Sequence, residues 1–217
     1  MVPVAVSVPE YCCIASASSS ASIAFTDNTM ARLLRDALPD FICHDFDEKQ
    51  HSTVAERCSF LEEWITEALD AQREGKDFVI TAHAPFGELL AAPSAIKLDR
   101  ISACLLDCDD YARAARYRAR PQMEEWPLNQ DTLCWASWQR MHAADPQWEQ
   151  RVIVNDKQPG FRWDRWTTWP SDDKRWRVTR IDTTTQTAAE TLKVLVRWMA
   201  DERNRINSLT PSAKWWM

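Results

Sequence analysis

Four groups of side chains in this sequence are of types that do chemistry. Residues 16–22 read Ser-Ala-Ser-Ser-Ser-Ala-Ser, a run of small, mostly hydroxyl-bearing residues. Asp45 and Asp47 close a short apolar stretch, Phe41-Ile42-Cys43-His44. Arg113, Arg116, Arg118 and Arg120 crowd together behind the apolar run Ile101–Leu106, and Asp182 opens the stretch Asp182-Thr183-Thr184-Thr185. A carboxylate at the end of a strand can take a proton from a substrate hydroxyl. Guanidinium forks match phosphate or carboxylate oxygens. A loop of small residues running into a helix can turn its backbone N–H groups onto an anion. Together these groups suit a phosphorylated ligand.

The elements that must position them follow from hydrophobic patterning. Tyr11–Ser16 is short, apolar and β-compatible, and predicts the first strand. Met30, Leu33, Leu34 and Leu38 recur at a helical period over 28–38, with Pro39 beyond. Phe41–His44 predicts a second strand. Val54, Cys58, Leu61, Ile65 and Leu69 line one face of a long helix over 53–74, which Gly75 ends. Asp77–Ala82 and Ile101–Leu106 are continuous in apolar character, as strands buried on both faces are. The Pro85–Leu89 stretch reads as a turn. Helices are predicted over 111–120, 131–144 and 187–203, and a last strand over 176–181. Strands alternating with helices imply a mostly parallel sheet covered on both faces, with strand ends gathered at one rim.

At 217 residues the chain fits one α/β domain. A net charge of −6 argues against a nucleic-acid binder. No segment reaches the length of a membrane span, the N-terminus lacks the basic flank of a secretory signal, and a cytoplasmic location is the default. Seven cysteines, several inside apolar runs and none in a Cys-x-x-Cys pair, read as buried thiols of a reducing compartment rather than disulfides or a zinc site. Nineteen arginines against seven lysines fit planar anion recognition, or simply a GC-rich genome. All twelve tryptophans but one, Trp64, follow residue 125. They read as the packing of a subdomain or as an aromatic wall for a planar ring. Residues 1–29 contain no Gly, Lys or Arg, which leaves open a divergent or altered start.

In order of elements, residues 11–200 resemble the P-loop small-molecule kinases, the group of nicotinamide riboside, uridine and nucleoside monophosphate kinases. The matching segments are Ile14–Ile23, Ala31–Asp36, Cys43–Asp47, the arginine-rich helix 113–120 and Arg180–Thr185. The resemblance implies a three-layer α/β sandwich with a mostly parallel five-stranded sheet, P-loop NTPase-like, and a Trp-rich helical lid or insert over 121–175. It implies ATP and Mg2+ as cofactors and a small, nucleoside-like, hydroxyl-bearing substrate. Ser18, Ser19, Ser20, Ala21 and Ser22 would hold the nucleotide phosphates, with Arg113 and Asp182 also on the nucleotide. Ser22 and Asp47 would hold the metal, Asp45 would be the base, and Arg116 and Arg120 the lid clamp.

The family's loop, Gly-x-x-x-x-Gly-Lys-Ser/Thr, falls here on Ala15, Ser20, Ala21 and Ser22, so only the hydroxyl is kept. The lost lysine removes an electrostatic contribution of roughly 2.7–4 kcal/mol to phosphoryl transfer, and a Cβ in place of glycine obstructs the cradle. No acid ends the strand 77–82; Thr81, His83 or Glu88 would serve the metal through water. Each group also has a plainer reading: a solvated acidic loop for Asp45 and Asp47, a solvated basic face for the arginines, a helix cap for Thr184 or Thr185. Two expectations follow: an ATP-dependent phosphotransferase, or a catalytically inactive P-loop relative that binds a ligand or protein partner. A serine hydrolase lacks its Gly-x-Ser-x-Gly elbow, and Cys108 between two aspartates is no nucleophile. Oligomeric state is not readable from the sequence.

Overall fold

The computed structural model describes residues 4–7, 29–49, 53–119, 128–154 and 158–207. The chain is α/β. Five strands, β1 (Val4–Ser7), β2 (Phe41–Asp45), β3 (Asp77–Ala82), β4 (Ser102–Asp107) and β5 (Val178–Asp182), lie in the order β2-β3-β1-β4-β5, and every pairing is parallel. Among the described residues six α-helices accompany them: α1 (Thr29–Ala37), α2 (Val54–Arg73), α3 (Phe86–Ala91), α4 (Asp110–Arg118), α5 (Gln130–Ala144) and α6 (Ala188–Asn207).

The first strand corrects the sequence reading. It is Val4–Ser7, paired between β3 and β4, whereas the expected strand Tyr11–Ser16 lies outside the described residues. Its Val4-Ala5-Val6 run is apolar and two of its three residues are β-branched, which suits a central strand. The stretch 85–89, read as a turn, instead opens α3, with Pro85 in extended conformation at its N-cap.

Local signals set the other boundaries. Thr53 and Glu56 form a capping box at the start of α2: the Thr53 hydroxyl accepts the Glu56 N–H at 3.1 Å, and the Glu56 carboxylate accepts the Thr53 N–H at 3.0 Å. Gly75, at φ +83°, turns the chain out of α2 into β3. Asn129 caps α5 through the Thr132 N–H at 2.9 Å.

Alternation along the buried strands sends side chains to two different layers. Val79, Cys104, Leu106 and Ile181 pack with Met30 and Leu34 of α1 and Leu195 and Met199 of α6. Phe78 and Ile80 pack on the opposite face with Leu61, Trp64 and Ile65 of α2. A third cluster, Leu90, Trp138, Trp163, Trp166, Trp169 and Trp176, joins α3 and α5 to the irregular segment 158–177. The tryptophans of the expected lid region are thus mostly core. Gly87 makes that packing possible: a Cβ there would lie 2.6 Å from the Trp166 ring. Among the described residues no helix is long and apolar enough to cross a membrane.

Candidate functional site

All five strands point the same way, so their carboxyl ends form one rim, and three of them end in aspartate: Asp45, Asp107 and Asp182. The chain leaves β1 toward β2 and leaves the adjacent β4 toward β5, in opposite directions across the sheet. Diverging connections of this kind open a crevice beyond the strand ends.

On one side of β1 the rim is acidic. Asp45 is buried and stands opposite Thr81 of β3. One of its carboxylate oxygens accepts the Thr81 hydroxyl at 2.8 Å and the other the Asp47 N–H at 2.8 Å, while the Asp45 N–H donates to Glu48 at 3.0 Å. The carboxylate is held in one orientation from both oxygens. Asp47 is half-exposed, and its Oδ1 lies 3.7 Å from Nδ1 of the buried His83. The His83 carbonyl accepts the Gln139 side-chain amide of α5 at 2.7 Å. Glu88 is buried away from this edge and accepts from Arg57 at 2.9 Å and from the Cys58 thiol at 3.3 Å. Burial, together with that carboxylate, pushes the Cys58 thiol up to about 12.

On the other side the rim is built on arginine. Asp107 is fully buried and receives Arg113 at 3.0 Å, Arg140 as a fork at 2.6 and 3.1 Å, and Arg180 at 2.9 Å. Three guanidinium groups on one carboxylate leave excess positive charge, partly met by Asp110, 3.7 Å from Arg140. Hydrogen bonding to Asp107 raises Arg140 further above the ordinary arginine value. Arg113 is buried, whereas Arg140 and Arg180 keep part of their surface in solvent. The Asp107 carbonyl also accepts the N–H and hydroxyl of Thr183, which fastens the loop after β5 to the end of β4.

The residues predicted from sequence divide between these two edges. Asp45 and Asp47 stand together on the acidic edge. Arg113 is turned inward onto Asp107 instead of sharing an outward face with Arg116. Arg116 holds the β5–α6 loop through the Thr183 hydroxyl and the carbonyls of Thr183 and Gln186. Asp182 ends β5, and its carboxyl is held below the usual range, first by hydrogen bonds from Thr184 and then by Arg180 and Arg140. Ser18, Ser19, Ser20, Ala21, Ser22 and Arg120 lie outside the described residues. Sequence reading passed over Asp107, Arg140 and Arg180. Asp107 carried the same signal as Asp45, an acid closing an apolar strand; the two arginines come from α5 and β5 and converge only in the fold. Among the described residues no group of three or more His, Cys, Asp or Glu side chains is placed to hold a metal ion.

Next to the acidic edge, between the sheet and helices α3 and α5, is an apolar cavity of about 540 Å³, part of it open to solvent. His142 lines it, stacked on Trp138 with ring centroids 4.6 Å apart and with the edges of Trp166 and Trp176 around it. Burial lowers this imidazole to about 4; the Trp148 backbone and Asp145 offset only part of the effect.

No known family profile matches the sequence, and no curated protein matches it. Among solved structures the chain is similar to an uncharacterized protein from Eubacterium ventriosum ATCC 27560, with a TM-score of 0.40 and 10% identity, over 92% of this chain and 98% of that one. A likeness of this depth says nothing about activity.

Proposed function

We propose that the protein is a phosphotransferase on the plan of the P-loop small-molecule kinases, moving a phosphoryl group from ATP to a small, nucleoside-like hydroxyl compound. The observation that carries this reading is the two-edged rim: a carboxylate edge at Asp45 and Asp47 and an arginine edge around Asp107, on either side of the carboxyl end of β1. Phosphoryl transfer asks a protein mainly for positioning and for charge at the phosphates. Asp45, fixed by Thr81 and the Asp47 N–H, would accept the proton of the acceptor hydroxyl. Arg140 and Arg180, the partly exposed members of the arginine edge, would meet phosphate oxygens. Arg116 would act indirectly by holding the Thr183–Gln186 loop against the nucleotide. Asp47, half-exposed, is the described carboxylate that would reach a nucleotide-bound magnesium, with Ser22 as its partner on the resemblance.

Calorimetric titration with Mg-ATP tests the reading. Binding in the millimolar range or tighter, weakened about tenfold or more by Arg180→Gln, is the expected result; no binding at millimolar nucleotide would overturn it. A second reading is favoured by residues 15–22, which hold neither glycine nor lysine: a relative that binds nucleotide without turning it over. Saturable binding with no ADP formed in the presence of candidate nucleosides would select that one.

A further inference from the structure

We infer that Asp107 is the positioning residue of the arginine edge: it grips Arg140 and Arg180 from behind and so presents their remaining nitrogens to a phosphate group. The identity of that anion rests on the phosphotransferase reading. Asp107 is 0% exposed, so a ligand does not reach it. Its two oxygens divide the arginines between them. Oδ1 accepts Nη2 of Arg113 at 3.0 Å and Nη2 of Arg140 at 3.1 Å. Oδ2 accepts Nε of Arg140 at 2.6 Å and lies 2.9 Å from Nε of Arg180. Arg113 is 1% exposed and is likewise out of a ligand's reach. It gives the buried carboxylate a counter-ion.

These contacts leave a particular set of donors over. Among the described residues Nη1 of Arg140 and both Nη atoms of Arg180 have no hydrogen-bond or ion-pair partner. The two side chains are 26% and 52% exposed. A guanidinium is planar and rigid, so holding one edge sets the direction of the other. An arginine already held in this way loses little further freedom when it meets an anion. The backbone of Asp107 adds to the same arrangement: its carbonyl accepts the Thr183 N–H at 2.7 Å and the Thr183 hydroxyl at 3.0 Å, which fixes the loop after β5. Asp110, 3.7 Å from Arg140, and Asp182 are exposed, and neither hydrogen-bonds to Arg140 or Arg180. Charge alone does not account for Asp107. A carboxylate this close weakens the attraction of the guanidinium groups for an anion, whereas its grip on them improves their geometry.

The two effects have opposite signs, and Asp107→Asn separates them. Inorganic pyrophosphate and Mg-ATP are titrated onto the full chain by calorimetry, with the folding of each variant checked by circular dichroism. D107N keeps the size of the side chain and removes its charge. Pyrophosphate binding is expected to weaken about tenfold, although the surroundings have become more positive. Arg180→Lys keeps the charge but has no Nε to be held while its tip reaches outward. It is expected to weaken binding about as much as Arg180→Gln. Unchanged or tighter binding to folded D107N overturns the inference. So does wild-type affinity in R180K, or no binding of pyrophosphate to the unaltered chain at millimolar concentration. Should D107N fail to fold, R180K decides. Failure of the phosphotransferase reading has its own signature: pyrophosphate bound and weakened by the variants as described, with no binding of Mg-ATP.

Discussion

The two faces of the sheet are packed by different chemistry. Toward α1 and α6 the filling is aliphatic: Met30, Leu34, Val79, Leu106, Ile181 and Leu195 are all buried. Toward α3 and α5 it is built largely of rings, with Trp138, Trp163, Trp166 and Trp176 around His142. Buried polar atoms lacking partners among the described residues are also unevenly shared. The α1/α6 side has the indole nitrogen of Trp198; the other side has those of Trp64 and Trp166, one oxygen each of Glu88 and Gln139, and both ring nitrogens of His142. Native interiors satisfy nearly all such atoms. The cavity lies on the ring-packed face.

The contrast can be broken at three places. Leu34→Ala, at a fully buried position on the aliphatic face, should cost about 4 kcal/mol in chemical denaturation. A loss under about 1 kcal/mol would mean that this face is not the close-packed one.

The aromatic face should respond to acid. Folded His142 titrates near 4 against an ordinary 6.5, so between those values the unfolded chain binds a proton that the folded chain refuses. Stability contributed by this group is complete above pH 6.5 and falls as pH drops toward 4, by up to about 3 kcal/mol. Denaturation of the wild type and of His142→Leu at pH 7 and pH 4.5 isolates it: the acid loss should be smaller in the variant, and equal losses would remove His142 from the account.

Gly87→Ala should cost about 2 kcal/mol, because the new Cβ would meet Trp166 at 2.6 Å. The matched control is Gly160→Ala, where the positive φ of +83° costs about 1 kcal/mol but the nearest atom is 3.4 Å away. A change in near-ultraviolet circular dichroism in the first variant alone would place the strain in the tryptophan cluster.

The strands and helices that were legible in the sequence share one property: the signal was local. Asp77–Ala82 and the run ending at Leu106 are continuous apolar stretches, and they emerge as β3 and β4 within one residue of the reading. The long helix after Thr53 carried its own capping box and closing glycine. β1 was missed because four residues offer too short a run for periodicity to separate strand from coil. α3 reads as a turn in the sequence because proline and glycine punctuate it, yet Pro85 precedes the first helical turn and Gly87 is required by the approach of Trp166. In the candidate site, Asp45 was legible because it closes a strand. Arg140 was not: its neighbours in α5 read as a tryptophan-bearing helix, and only the packing of that helix over β4 brings its guanidinium to Asp107. Arg113 was misjudged for a related reason. Helical spacing groups it with Arg116, but the fully buried carboxylate of Asp107, six residues upstream at the end of β4, draws it inward.

The placement of β1 has a consequence for how the molecule is made. Val4 aligns with Val79 on one side and with Ser102 on the other, so the strand that precedes the other four in the chain is the one that seals the middle of the sheet. It has no partner until β3 exists and only one until β4 follows. During translation β1 must therefore remain unpaired while β2 and β3 come together, and it then enters a slot whose two walls are strand edges. Closing so distant a pairing is slow, and until it happens both edges stand open to other chains. Chaperone demand and aggregation during expression should accordingly respond more sharply to changes at residues 4–7 than to changes of equal size in the outermost strands.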